Sequence, residues 1–133
     1  MESAGFWIET DGPLEAVVER FKTAMQDVGF GTLVDLDVRA ILKEKIGADI
    51  EGYRLLGVCS PKLAFEATRK APDIGLLLPC GAVVRELPDG RVRVGVVDPF
   101  KMSMLMDGPD REVLAAEMAE AATLLKEALR TLA

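Results

Sequence analysis

The stretch AVVRELPDGRVRVGVV, residues 82 to 97, decides the fold. Before its centre, Cys80, Ala82 and Val84 fall on one side of an extended chain against Val83, Arg85 and Leu87 on the other, and after it Val92, Val94 and Val96 recur together. The period of two marks strands, and Pro88-Asp89-Gly90 between them is turn chemistry, so the segment reads as a β-hairpin. One face is apolar and must be covered, while Arg85, Arg91 and Arg93 can point to solvent on the other. A hairpin joins antiparallel neighbours, whereas parallel strands need a long crossover. The segment therefore favours α+β over the runner-up, a doubly wound parallel sheet.

Upstream, FWIE (6–9), FGTLVDLDV (30–38) and YRLLGVC (53–59) read as strands, with Phe30, Val34 and Leu36 placed on one side of the second. Between the first two, Leu14, Val17, Val18, Phe21, Met25 and Val28 form a helical stripe, with Pro13 at its start and Gly29 just past its end. Val38, Leu42 and Ile46 share one face of a shorter helix closed by Gly47. Ser60 and Pro61 fit the cap and first position of a third helix, in which Leu63, Ala64 and Ala67 can pack inward. After Pro72 the chain reads as extended into the hairpin. Beyond it, DPFKMSMLM breaks at Asp98-Pro99, and Met102, Met104 and Met106 would share a side if extended. From near Pro109 a long helix carries Leu114, Met118, Ala121, Leu125, Leu129 and Leu132 on one stripe. The expected architecture is a single α+β domain, residues 1–133, with helices packed on one face of an antiparallel sheet.

Composition sets the limits on function. The 133-residue chain carries a net charge of −6, two cysteines and no histidine. The acidic balance argues against nucleic acid and anionic membrane surfaces as partners. Without histidine there is no Ser-His-Asp or Cys-His catalytic set and no histidine metal site. The N-terminus lacks a basic run before an apolar core, and the longest apolar run is too short for a span, so a cytoplasmic protein with reduced thiols is expected. No cofactor is implied. Cys59, Cys80 and the three methionines include the soft ligands of Cu(I), yet their spacing matches no ligand rule, and no metal site is assigned.

Two readings remain for the thiols. Cys59 lies where a strand meets a helix N-terminus, a place that favours thiolate, while a buried cysteine ending a strand is the simpler alternative. Cys80 lies on the inward face of the hairpin. The two are on neighbouring strand-like runs, and register decides whether they meet.

In order and spacing, GFGTLVDLDV, LKEKIG, YRLLGVCSPKLAFEA, GLLLPCGAVV and DGRVRVGVVDP together resemble the bacterial and archaeal domain-of-unknown-function 302 family, over roughly residues 6 to 132. The resemblance implies a fold similar to that of the TATA-box-binding protein, β-α-β4-α with short inserted helices, and a dimer. Its motifs emphasise Cys59, Pro61, Cys80, Asp98 and Met104. Where that family has asparagine after each cysteine, this chain has Ser60 and Gly81.

The resulting expectation is a homodimer that binds a small molecule or a protein partner near Cys59, Ser60, Pro61, Cys80, Asp98 and Met104. The alternatives are a thiol-dependent enzyme or redox sensor acting through Cys59, and a purely structural assembly component.

Overall fold

A computed structural model describes all 133 residues. Five strands, β1 (Gly5–Asp11), β2 (Gly31–Asp37), β3 (Tyr53–Cys59), β4 (Cys80–Glu86) and β5 (Arg91–Val97), form one sheet in the order β1-β5-β4-β3-β2, every neighbouring pair antiparallel. The helices are α1 (Leu14–Asp27), α2 (Val38–Ile46), α3 (Pro61–Lys70), α4 (Pro99–Met102) and α5 (Gly108–Arg130). This is α+β, with α2, α3 and α4 as short insertions in a β-α-β4-α order. No helix is long and apolar enough to cross a membrane.

The hairpin forms as its sequence dictates. Gly90 adopts φ +87°, a left-handed conformation that costs glycine nothing, and its N–H donates to the Leu87 carbonyl at 2.9 Å. The inward residues Cys80, Ala82, Val84, Val92, Val94 and Val96 are all buried, together with Leu56 and Val58 of β3. The stripes of α1 and α5 cover them: Val17, Val18, Phe21 and Met25 from one, Leu125 and Leu129 from the other. At about 1.5 Å per residue, α5 is roughly 34 Å long, enough to serve two clusters. Its C-terminal half closes the main core, and Leu114 and Met118 close a smaller one with Ala67, Ala71 and Ile74.

Three local readings are corrected. Phe30 is buried in the core, but Val34 and Leu36 lie on the opposite face, because a β-bulge between Thr32 and Val34 shifts the ladder and turns the alternation over. Residues 72–77 form a 3-10 turn, and β4 begins only at Cys80. The methionine segment is helical as well. Asp98 caps α4, its Oδ1 accepting from the N–H groups of Phe100 and Lys101, and Pro99 occupies the first helical position. A 3-10 turn, Ser103–Leu105, follows, so Met102 and Met106 pack against the smaller core while Met104 is exposed. The stripe of α2 is only partly covered, Val38 and Leu42 being half-buried. Gly47 ends the helix in the left-handed region, as its sequence requires, but α2 buries no residue and Ile46 is 73% exposed.

An ion network fixes α1 to the sheet. Arg54 on β3 donates twice to Asp35 on β2, at 2.8 and 2.6 Å, and its Nη1 reaches both carboxylate oxygens of Glu15 on α1. Lys22 Nζ lies 2.7 Å from the same Asp35. The Arg54 guanidinium, with Lys22 helping against the cost of burial, holds the Asp35 carboxyl down at about 2. A carboxyl lowered by folding contributes stability that is complete above its unfolded value near 4 and is lost as pH falls toward 2. Asp35→Asn is therefore expected to lower the urea midpoint at pH 7, and the gap from the unmodified chain should close as both are titrated from pH 4 to 2. A gap that stays constant over that interval would separate Asp35 from the acid limb.

Candidate functional site

The six residues singled out by sequence occupy three places. Cys59 ends β3, and Ser60 caps α3, its Oγ accepting from the Leu63 N–H at 3.4 Å, with Pro61 as the first helical residue. Cys80 opens β4 directly opposite Val58. Cys59, Ser60 and Cys80 line one small crevice together with Pro99, Leu63 and Met118. Pro61 stands just outside it. Asp98, next to Pro99, is buried and spends its carboxylate on the α4 cap. Met104 lies apart, with Sδ 3.9 Å from Arg111 Nη1.

The space between the thiols measures about 30 Å³. That volume suits a single water molecule, against several hundred Å³ for ordinary metabolite sites. Burial pushes the Cys59 thiol up, opposite to the shift that a helix N-terminus would impose. Cys59 also stands one residue before the cap, where Ser60 already serves a helix N–H. Cys80 is pushed up to about 11, by burial first and by the neighbouring Cys59 second. Both groups are thiols rather than thiolates at neutral pH. Iodoacetamide at pH 7 is accordingly expected to label native Cys59 more slowly than a free model thiol, and Cys80 more slowly still. Labelling of Cys59 faster than the model thiol would restore a reactive cysteine.

The other face of the sheet carries no α-helix, only the N-terminal 3-10 turn Glu2–Ala4 at its β1 edge, and its composition is unusual for a face in water. An antiparallel sheet with one solvated side normally alternates apolar and polar residues. Here the register sets Trp7 opposite Gly95, Gly95 opposite Val83, Val83 opposite Leu55, and Leu55 opposite Leu36. One continuous apolar row thus crosses all five strands. Leu55 is 42% exposed and Leu36 is 43% exposed. Gly95 is required at its place, because a Cβ there would run into the Trp7 ring.

To one side of this row the next register line is polar: Glu9 faces Arg93, Arg93 faces Arg85, and Arg85 faces Tyr53. The Arg93 guanidinium lies over Trp7, 4.4 Å from the ring centroid, and pairs with Glu9 and Glu2. Arg85 has no carboxylate within 4 Å. To the other side lie glycines, Gly57 opposite Gly81. A Cβ added at Gly81 would meet nothing within 4 Å, and the floor drops there into a hollow of about 240 Å³ bordered by Trp7, Tyr53, Leu55 and Val83.

Sequence reading missed this face, although β3 carried a signal for it. Leu55 and Leu56 are adjacent, so one of them had to point away from the core.

Comparison with known proteins agrees with this architecture. Residues 7–132 match the model of the family described as "Domain of unknown function DUF302". A crystal structure of an uncharacterized conserved protein DUF302 from Bacillus stearothermophilus is similar, with a TM-score of 0.82 at 24% identity, covering 97% of this chain and 98% of that one. No curated protein matches.

Proposed function

This chain belongs to the DUF302 family, and from that premise we propose that it is a binding protein without catalytic chemistry of its own, working as a homodimer whose two copies meet through the open face of the sheet. The observation that carries this reading is the apolar row Trp7, Gly95, Val83, Leu55, Leu36. At about 4.8 Å between strands it spans roughly 19 Å, the width of a protein contact rather than of a metabolite. The adjoining hollow of 240 Å³ is below the usual range for small-molecule sites, and a protruding side chain fills such a space better.

Charge supports a second copy as the occupant. Arg85 stands directly opposite Arg93; Glu2 and Glu9 of the same chain pair with Arg93, while Arg85 has no carboxylate within 4 Å and remains open to an acid from a second copy. The chain has 22 acidic residues against 16 basic ones, so a second copy can supply that acid. A two-fold contact uses the same patch on both partners, which an apolar centre with a charged border permits. Cys80 immediately precedes the glycine that opens the hollow, and its buried thiol acts as packing beneath the interface. Light scattering at micromolar concentration should give twice the 14.4 kDa chain mass. A monomer mass under the same conditions would contradict the proposal.

A further inference from the structure

Cys59, Cys80 and Met118 bring two thiols and a thioether to one crevice, and we infer that it binds a single Cu(I) ion. The methionines that the sequence sets near each other, Met102, Met104 and Met106, stay outside its lining, and α5 supplies Met118 instead. The crevice stands on the covered side of the sheet and owes nothing to the dimer.

The fold creates this convergence. Cys80 is paired with Val58, so Cys59, the next residue of β3, is its diagonal neighbour. About 4.8 Å across the strands and about 3.4 Å along them put the two Cα atoms roughly 6 Å apart, a separation at which cysteine sulfurs can meet. Pleating alone would send adjacent side chains to opposite faces, but β3 ends at Cys59 and the chain turns there into α3. Both thiols therefore line the same space.

The contents of the lining select the ion. The crevice measures about 30 Å³, room for one atom-sized guest and for no metabolite. A water there would need about two to four polar partners. The lining offers thiols, which are weak donors, and Ser60, whose Oγ already serves the Leu63 N–H. Cys80 is 5% exposed, and neither thiol makes a hydrogen bond. No carboxylate lines the space, so Mg²⁺ and Ca²⁺ lack their oxygen ligands. Nowhere do three histidine, cysteine or acidic side chains converge, which leaves Zn²⁺ short of its four ligands. Thiolate with thioether is a donor set for Cu(I).

Binding is a ligand exchange in which no electron moves. Cu(I) leaves its carrier, each cysteine releases its proton to water, and two thiolate–copper bonds form with the Met118 Sδ as third donor. The complex holds one surplus negative charge beside the N-terminal end of α3, where such charge is favoured. Cys59 is half-buried and gives the ion its entrance.

Titration of the full, reduced chain with Cu(I) held by bicinchoninate, in the absence of oxygen, tests this. One Cu(I) per chain should be withdrawn from the chelator, and X-ray absorption should show three sulfur neighbours with no nitrogen or oxygen. Met118→Leu, which nearly conserves volume, should lower the sulfur count to two. Cys59→Ala and Cys80→Ala, each lacking a charged ligand, should bind at least about a hundredfold more weakly. Met104→Leu changes an exposed methionine outside the crevice and should bind as the unmodified chain does. Melting without copper reports the fold of each variant, and should Cys80→Ala not fold, Cys59→Ala at its half-buried position decides. Copper left wholly with bicinchoninate would overturn the proposal. So would nitrogen or oxygen beside the metal, undiminished binding by folded Cys59→Ala, or a sulfur count unchanged in Met118→Leu.

Discussion

Leu55→Arg is expected to dissociate the proposed dimer, weakening self-association by about thirtyfold or more while leaving the chain folded. The size follows from placing a charge within the proposed contact, where leaving it buried and unpaired costs on the order of 2–5 kcal/mol and every 1.4 kcal/mol is tenfold. The selectivity follows from position. Leu55 points away from the core and is 42% exposed in the single chain, so an arginine there has water available and should change monomer stability by only about 0.5 kcal/mol. Concentration-dependent light scattering checks the first part, and urea unfolding of the variant checks the second. Gly81→Leu is a useful companion. It adds volume where a Cβ meets nothing within 4 Å in the same chain and extends into the hollow, so it should weaken self-association as Leu55→Arg does.

Phe21→Ala is expected to have the largest effect on stability. Phe21 is fully buried in α1 among the inward side chains of the sheet and of α5. Truncating a buried phenylalanine costs about 3–5 kcal/mol through lost transfer energy and the cavity left behind. Against a total of about 5–15 kcal/mol for a domain, that is a large share, and it should lower the thermal midpoint by roughly 10–20 °C. The loss should appear in calorimetric melting at every pH, unlike that of Asp35→Asn, which fades in acid. A drop of only a degree or two would mean that α1 does not close the main core.

These two positions also mark what the sequence could and could not disclose. Phe21 was legible because its stripe repeats at the helical period over fourteen residues, and the α5 stripe was legible for the same reason. The hairpin was fixed by Asp89-Gly90 between two runs of period two. The segment 99–106 misled because methionines at every second position imitate a strand, although Asp98 as cap and Pro99 at the first helical position were present as counter-signals. The apolar row could not be read in advance, because it depends on register across five strands. Part of that register is set by a bulge beside Leu33, and a shift of one residue would have sent Leu36 to the other face.

The candidate site was legible only in part. Sequence placed Cys59 and Cys80 on neighbouring strands, and they do line one space. How small that space is depends on Leu63, Pro99 and Met118 arriving from three helices. Met104 shared a motif with the cysteines but not a location, since α4 and the turn after it carry it to the surface.

Trp7 offers the most direct test of the open-face dimer, being the only tryptophan in the chain and one end of the apolar row. Its acrylamide quenching should be measured over a dilution series beside that of Leu55→Arg. The account predicts weak quenching of the unmodified chain at high concentration, rising on dilution to the level that Leu55→Arg shows throughout. Identical quenching of the two proteins at every concentration would contradict it.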